Sequence, residues 1–239
     1  MARAQRCVVV GATSGIGRAL AEALADRGYE VGVTGRRATL LEALVCSLPS
    51  PSYSRAFDVC AADARAQLQA LLEEMGTVDL VVVCAGTGYT NPGVDWTLDH
   101  ETLETNVVGF AAMCNAAWHH FVQQGGGHLV GISSVLAVRG MRSASYAASK
   151  AFVSHFLAGL RCRAVTDGYA IAVTDIKPGF VKTAMAKADD AFWMASAEVV
   201  ARQIVDAIEA RRTHAYVTRR WRLIAWLLKA APEWLIARL

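Results

Sequence analysis

The sequence is short of several things, and each shortage excludes something. Its 239 residues include only five prolines, so few helices or strands are forced to break. Aromatic residues make up 8% and the formal net charge is +3. That charge is small and the basic residues are spread out, apart from a cluster near the C-terminus, so no nucleic-acid partner is expected. The cysteines (Cys7, Cys46, Cys60, Cys84, Cys114, Cys162) contain no C-x-x-C pair and no metal-like spacing. Several lie in apolar runs, as reduced core cysteines do, which makes a cytoplasmic location the expected one. The His119-His120 pair lacks a partner at ligand spacing and reads as surface, so no metal is expected. No apolar run reaches ~18 residues, and no signal-peptide pattern precedes the first strand. Internal repeats, low-complexity tracts and long linkers are also missing.

What is present is alternation. Cys7–Val10, Val31–Thr34, Ser54–Phe57, Leu80–Cys84, His128–Ile132, Ile171–Ile176 and Ala215–Val217 read as strands. Helical patterns fall between them: after Gly17, over Thr39–Leu48, Ala64–Met75, Leu98–Gln124, Ser145–Val165 and Ala197–Ala210. Continuous valine-rich runs suit strands buried on both faces. The pattern predicts an α/β chain with a Rossmann-like, doubly wound and mostly parallel sheet of about seven strands, helices on both faces. It is read as a single dinucleotide-binding domain over residues 1–239, with an apolar helical extension over 219–239.

Three stretches carry chemistry. Gly11-Ala12-Thr13-Ser14-Gly15-Ile16-Gly17 sits between a strand and a helix. There glycines let backbone amides approach a pyrophosphate, and the helix start favours its charge. The second strand ends in Gly35-Arg36-Arg37 with no carboxylate. An acid there would bind a ribose 2′-hydroxyl, whereas arginine suits the 2′-phosphate of NADP. Arg36 is the first choice for that phosphate and Arg37 the second. Tyr146 and Lys150 lie one helical turn apart. A nearby ammonium favours the phenolate, so Lys150 is expected to lower the Tyr146 pKa toward acid–base use. Ser133 and Ser134 end a buried strand, where open sheets hold their ligands.

With these residues in order, the chain resembles the short-chain dehydrogenase/reductase family, in its small single-domain branch, from Val8 to about Thr183. Gly11 to Gly17 is similar to the family's coenzyme loop, with Val10 in place of its usual threonine. Asp58-Val59 looks like its adenine-contacting pair. Cys84-Ala85-Gly86 stands where the family has Asn-Ala-Gly. Asn106, Ser134, Tyr146 and Lys150 resemble the catalytic set. Pro178-Gly179-Phe180-Val181-Lys182-Thr183 resembles the segment whose hydroxyl holds the nicotinamide amide. Counting back from the tyrosine gives Ser133, whereas counting from the strand gives Ser134; strand ends fix side-chain direction, so Ser134 is preferred and Ser133 stays open.

The resemblance implies hydride transfer between a carbonyl and an alcohol. NADP(H) would be the preferred coenzyme and NAD(H) the alternative. Tyr146 would act as general acid/base, Ser134 would hold the substrate oxygen, Lys150 the ribose hydroxyls, and Asn106 a relay water. A non-catalytic NADP-binding sensor is the competing function. Thr87–Val94, Val135–Ser145 and the segment after Thr183, with Met185, Phe192, Trp193 and Met194, are expected to select a small-molecule substrate, and the apolar residues of the last segment suit an apolar one. In the family the helices around Asn106 and Tyr146 commonly form a subunit contact, which implies a homodimer or homotetramer. From Trp221 to Leu228 apolar residues nearly encircle any helix, so a solvated face is not expected. Packing on protein, at the cleft mouth or between subunits, is the favoured reading, and peripheral membrane contact the other.

Overall fold

The computed structural model describes residues 4–183, 193–236 and 238. Met185 and Phe192 lie outside the described residues. Seven strands form one sheet: β1 (Arg6–Val10), β2 (Glu30–Gly35), β3 (Ser52–Ala56), β4 (Leu80–Val83), β5 (Gly127–Ile132), β6 (Ile171–Pro178) and β7 (His214–Val217). Their order is β3-β2-β1-β4-β5-β6-β7, and every pairing is parallel.

The strands are apolar on both sides because helices cover both sides. Cys7 and Val9 of β1 face α1 (Gly15–Asp26), α2 (Ala38–Ser47) and α7 (Ala197–Glu209), where Leu20, Leu24, Leu41, Leu44, Val200 and Ile204 form one core. Val8 and Val10 face the opposite way. They meet α3 (Ala64–Met75), α5 (Phe110–Gln124) and α6 (Ala144–Thr166) in a second core with Leu68, Leu72, Phe110, Phe121 and Leu157. Complete burial of each such side chain contributes about 1.5–3 kcal/mol. The sheet order reverses between β1 and β4. Crossovers run to one side before that point and to the other after it, so a crevice opens above the carboxyl ends of these two strands. Val10 is level with both Thr34 and Val83 there.

Three elements differ from the sequence reading. The helix expected over Leu98–Gln124 begins at Trp96, as α4 (Trp96–Leu103), and is divided from α5 by a π-helical turn at Glu104–Gly109. Asp95 caps it, accepting a bond from the Thr97 amide at 2.7 Å. Strand β6 runs on to Pro178 instead of stopping at Ile176, because Lys177 finds buried partners. The C-terminal segment forms α8 (Trp221–Ala230) and α9 (Glu233–Ile236). Only Trp221 and Ala225 of α8 are buried, while Leu223 and Trp226 are 62% and 66% exposed. Contrary to expectation, the folded chain by itself leaves an apolar side of this helix uncovered. The inward side packs through Trp221 and Ala225, with Ile224 and Leu228 half-buried beside them, while Leu223, Trp226 and Leu227 face outward.

Candidate active site

The crevice holds two adjoining hollows. The first, about 260 Å³, is lined by Gly11, Thr13, Ser14, Gly15, Ile16, Gly17, Arg36, Arg37, Asp58, Val59, Cys84, Ala85, Gly86 and Thr183. Gly35, Phe57, Thr87 and Thr105 also line it and were not among the cofactor-binding residues expected from the sequence. Gly11 leaves β1 at φ +90°, a region that side chains rarely adopt. The amides of Gly11 and Ala12 both donate to the Thr34 carbonyl at 2.9 Å. A Cβ on Gly17 would collide with the Gly11 carbonyl. Ser14 precedes α1 without a side-chain cap, and the first turn holds no acid. The helix therefore offers free amides and its positive end to the hollow.

The two arginines lie on the rim and differ in their ties. Arg37 donates from Nη2 to Thr13 Oγ1 at 2.6 Å and Ser14 Oγ at 2.9 Å. Arg36 is only 3.7 Å from Asp58 Oδ2 and is 70% exposed. Asp58 Oδ1 also accepts from the Cys60 amide at 3.0 Å. An amide cradle with two cationic side chains fits a dinucleotide that carries an additional phosphate.

The second hollow, about 300 Å³, shares Ile16, Cys84, Gly86 and Thr183 with the first. It brings together Ser133, Ser134, Tyr146, Lys150, Pro178, Gly179 and Val181. Lys150 Nζ donates to the Ile132 carbonyl at 3.0 Å and lies 5.8 Å from the Tyr146 ring centre. Burial pulls the Lys150 pKa down to about 8, with Cys84 and Asp175 acting in the other direction. Burial also pushes the Tyr146 phenol above its usual range, opposed by a hydrogen bond from Ser134. This corrects the expected direction for the tyrosine. In the chain alone desolvation dominates, and the Lys150 ammonium is directed to a backbone carbonyl.

Adjacent serines point to different sides of a strand. Ser134 Oγ bonds Tyr146 and accepts from the Leu136 amide at 3.1 Å. Ser133 Oγ donates instead to Asp175 and, at 3.1 Å, to the Ile176 carbonyl. Asp175 is 1% exposed and pairs with Lys177 at 2.6 Å. Lys177 also donates to Ser154. The sequence reading missed this cluster. Its signal was the Asp-x-Lys spacing, which puts both charges on one face of a strand.

Asn106 is buried in the π turn and lines neither hollow. Its Oδ1 accepts from the Thr87 amide at 2.8 Å; its Nδ2 donates to the Thr87 carbonyl at 2.7 Å and to Ser149 Oγ at 3.0 Å. Ser149, also missed, donates to the Tyr146 carbonyl at 2.8 Å. Asn106 thereby ties the loop after β4 to the helix of Tyr146. Cys84 is half-buried, and burial pushes its thiol up to about 12. Its amide still donates to the Val10 carbonyl at 2.8 Å, so the backbone tie between β1 and the end of β4 needs no asparagine. Among the described residues no group of His, Cys, Asp and Glu could hold a metal ion.

Comparison with known proteins agrees with this geometry. Residues 5–192 match the short chain dehydrogenase family. An uncharacterized oxidoreductase of Myxococcus xanthus is 41% identical over 183 residues, 74% of this chain and 72% of the relative. Serine 3-dehydrogenase of Agrobacterium fabrum is 34% identical over 181 residues, with the same two coverages. Among solved structures, the closed form of a serine dehydrogenase complexed with NADP+ superposes with a TM-score of 0.78 at 25% identity. It covers 88% of this chain and 92% of that one. The chain belongs to the short-chain dehydrogenase/reductase family and is an NAD(P)-dependent oxidoreductase.

Proposed function

We propose that this protein interconverts a carbonyl and an alcohol, using NADP(H) in preference to NAD(H), with Tyr146 as general acid/base. The observation that carries the reading is the meeting of Ser134, Tyr146 and Lys150 in a hollow continuous with the glycine cradle. When bound, the nicotinamide coenzyme supplies or accepts the hydride. Tyr146 gives its proton to the carbonyl oxygen in reduction and takes it back in oxidation. Ser134 donates to the same oxygen as charge develops on it. Lys150, with a pKa near 8, is largely charged at neutral pH. It would bind the ribose hydroxyls of that coenzyme, and its charge would favour the phenolate once burial is offset.

Asn106 is a positioning residue in this scheme. Its amide is committed to Thr87 and Ser149. A relay water would therefore rest on carbonyls that the widened π turn leaves outside the ordinary helical pattern. Asp58 and Val59 flank the adenine side, and Thr183, which touches Gly15, is placed to bond the nicotinamide amide. Arg36, paired with Asp58 at 3.7 Å on the exposed rim, is the partner proposed for a 2′-phosphate.

The substrate reading is an uncharged, largely apolar carbonyl compound. Leu136, Phe180, Val181 and Ile16 line the cleft, and Lys150 is the only cation among its described lining residues. Such a wall holds no arginine for the carboxylate of an amino acid like the Agrobacterium relative's substrate. Assembly through α5 and α6 remains part of the proposal. Ala111, Ala112, Ala151, Phe152 and Phe156 are only half-buried in the single chain, and a two-fold contact would cover them.

The test is NADPH oxidation against a panel of apolar ketones and aldehydes, with Tyr146→Phe alongside. Turnover that the variant abolishes supports the reading. Tight NADPH binding with no turnover on any carbonyl, or full activity in the variant, favours the sensor instead.

A further inference from the structure

The outward side of α8 combines two features that a water-facing helix does not need. Trp226, Leu223 and Leu227 are 66%, 62% and 48% exposed. At about 100° per residue they fall with Ala230 on one side of the helix, and Arg222 and Lys229 run along its edge. Trp234 and Leu235 of α9 add 63% and 39% exposure just beyond. Next to this side lies a hollow of about 810 Å³, whose rim carries Arg212, Arg219, Arg220 and Arg222. The one carboxylate among its described lining residues, Asp206, lies 3.4 Å from Arg27. Arg220 stacks on Trp193, 5.0 Å from its ring centre. Among the described residues, no ion pair involves Arg212, Arg219 or Arg222.

The charges decide between the occupants that could cover this surface. In a two-fold contact with a second copy, the same patch lies on both sides. The arginines of one chain would then face the arginines of the other, and the one carboxylate among the described residues lining each hollow, Asp206, is already paired with Arg27. An anionic bilayer answers both features at once, because it offers phosphates at the level of the arginines and acyl chains beneath them. A span is excluded for this element: ten residues of helix measure about 15 Å, and no described helix is long and apolar enough to cross a membrane.

We propose that α8 and the arginine rim dock the protein on an anionic lipid surface. Leu223, Trp226 and Leu227 enter the boundary of the acyl chains, and Arg219 and Arg222 bind lipid phosphates. The other side of the same helix borders the catalytic cleft. Trp221 meets Phe180 edge-on at 5.4 Å and lies against Gly179, and both of those residues line the cleft. Docking therefore sets the cleft beside the bilayer, where an apolar substrate is concentrated. That last step rests on the proposed function; the docking does not.

Flotation of the full chain with vesicles tests it without any turnover. Phosphatidylcholine vesicles serve as the neutral surface, and phosphatidylcholine mixed with phosphatidylglycerol as the anionic one. The chain should float with the anionic vesicles only, and high salt should release it. Arg219→Gln with Arg222→Gln should weaken partitioning about thirtyfold, at about fivefold per basic residue near such a surface. Trp226→Gln with Leu227→Gln should abolish it. Both variants should keep the wild-type circular dichroism and thermal melt. Failure of the wild type to float with anionic vesicles overturns the proposal, as does unchanged flotation of either variant. A loss of self-association in the apolar variant, seen by light scattering without any vesicle binding of the wild type, would assign the surface to a second copy.

Discussion

The two adjoining hollows share Ile16, Cys84, Gly86 and Thr183 but are built from different materials. The first hollow is mostly backbone: a glycine loop, a helix start and two exposed arginines on the rim. The second hollow is mostly buried side chain: Tyr146, Lys150 and Ser134, with Asn106, Asp175 and Lys177 behind them. A backbone cradle spreads recognition over many amides, so one altered side chain on its rim removes little. A cluster of buried polar groups concentrates it, because each group left unpaired costs its whole desolvation. Burial shifts the pKa values of Tyr146, Lys150 and Cys84 in the second hollow, as it does those of Cys7, Cys114 and His128 elsewhere in the core.

The sharpest way to break this contrast is Tyr146→Phe. Turnover should fall about 10²- to 10⁴-fold, while the NADPH dissociation constant by titration calorimetry stays within experimental error. Coenzyme binding lost together with turnover would mean that the hollows do not divide the work. Next in size is the serine pair. Ser134→Ala should lower kcat roughly 10²-fold. It should lower the unfolding midpoint by less than Ser133→Ala does, since it frees only the Leu136 amide and the Tyr146 hydroxyl at the edge of a hollow. Ser133→Ala should act mainly on the midpoint, because Asp175 loses a buried donor at a cost of about 1–3 kcal/mol. Swapped results would hand the substrate oxygen to Ser133.

The arginines test the rim. If one charge-assisted bond decides coenzyme choice, NADPH is favoured by about 1.5–3 kcal/mol, and Arg36→Ala removes that preference. Arg37→Ala should weaken NADPH and NADH equally, because Arg37 braces Thr13 and Ser14 of the loop. Should Arg37→Ala be the selective change, the phosphate belongs to Arg37.

The smallest effect has the less obvious sign. Lys150 is lowered from 10.5 to about 8 by burial. At pH 7 it is charged in both the folded and the unfolded chain, and the folded state bears the desolvation. Lys150→Met, though inactive, should stabilise the coenzyme-free protein at pH 7. The gain is about 2 kcal/mol once the lost bond to Ile132 is counted. Between pH 8 and 10.5 the wild-type lysine sheds its proton first in the folded state, so wild-type stability rises relative to the variant and the gap narrows. Chemical denaturation at pH 7 and pH 10 checks this, and a constant gap counts against it.

The same contrast explains what could be read in the sequence. The cradle was legible because its parts are neighbours: Val10, the glycines, and a helix carrying Leu20 and Leu24. Tyr146 and Lys150 were legible because one helical turn joins them. Asn106 was found by resemblance, but its bonds to Thr87 and Ser149 come from two other elements, and no local pattern encodes them. Lys177 looked like the end of a strand, because a lysine is rarely buried unless paired, and Ser154 comes from a distant helix. The apolar residues of α8 were read correctly, yet their exposure was not. A sequence shows which side chains avoid water, but not whether the folded chain has anything left to cover them.

The π turn at Glu104–Gly109 changes how α4 and α5 relate. One additional residue in a turn advances the helix phase by about 100°, so a single rod keeps two reading frames. Thr102 is buried in the frame before the turn, and Phe110 and Met113 in the frame after it; Asn106 sits at the change of frame. Val108 in that turn is 55% exposed, and by exposure alone nearly any replacement should be tolerated there. Its omission is another matter. With one residue fewer the rod would close into ordinary α-helix, and Asn106 would rotate away from either Thr87 or the anchors at Phe110. At this position the count of residues carries the information, and their identity carries very little.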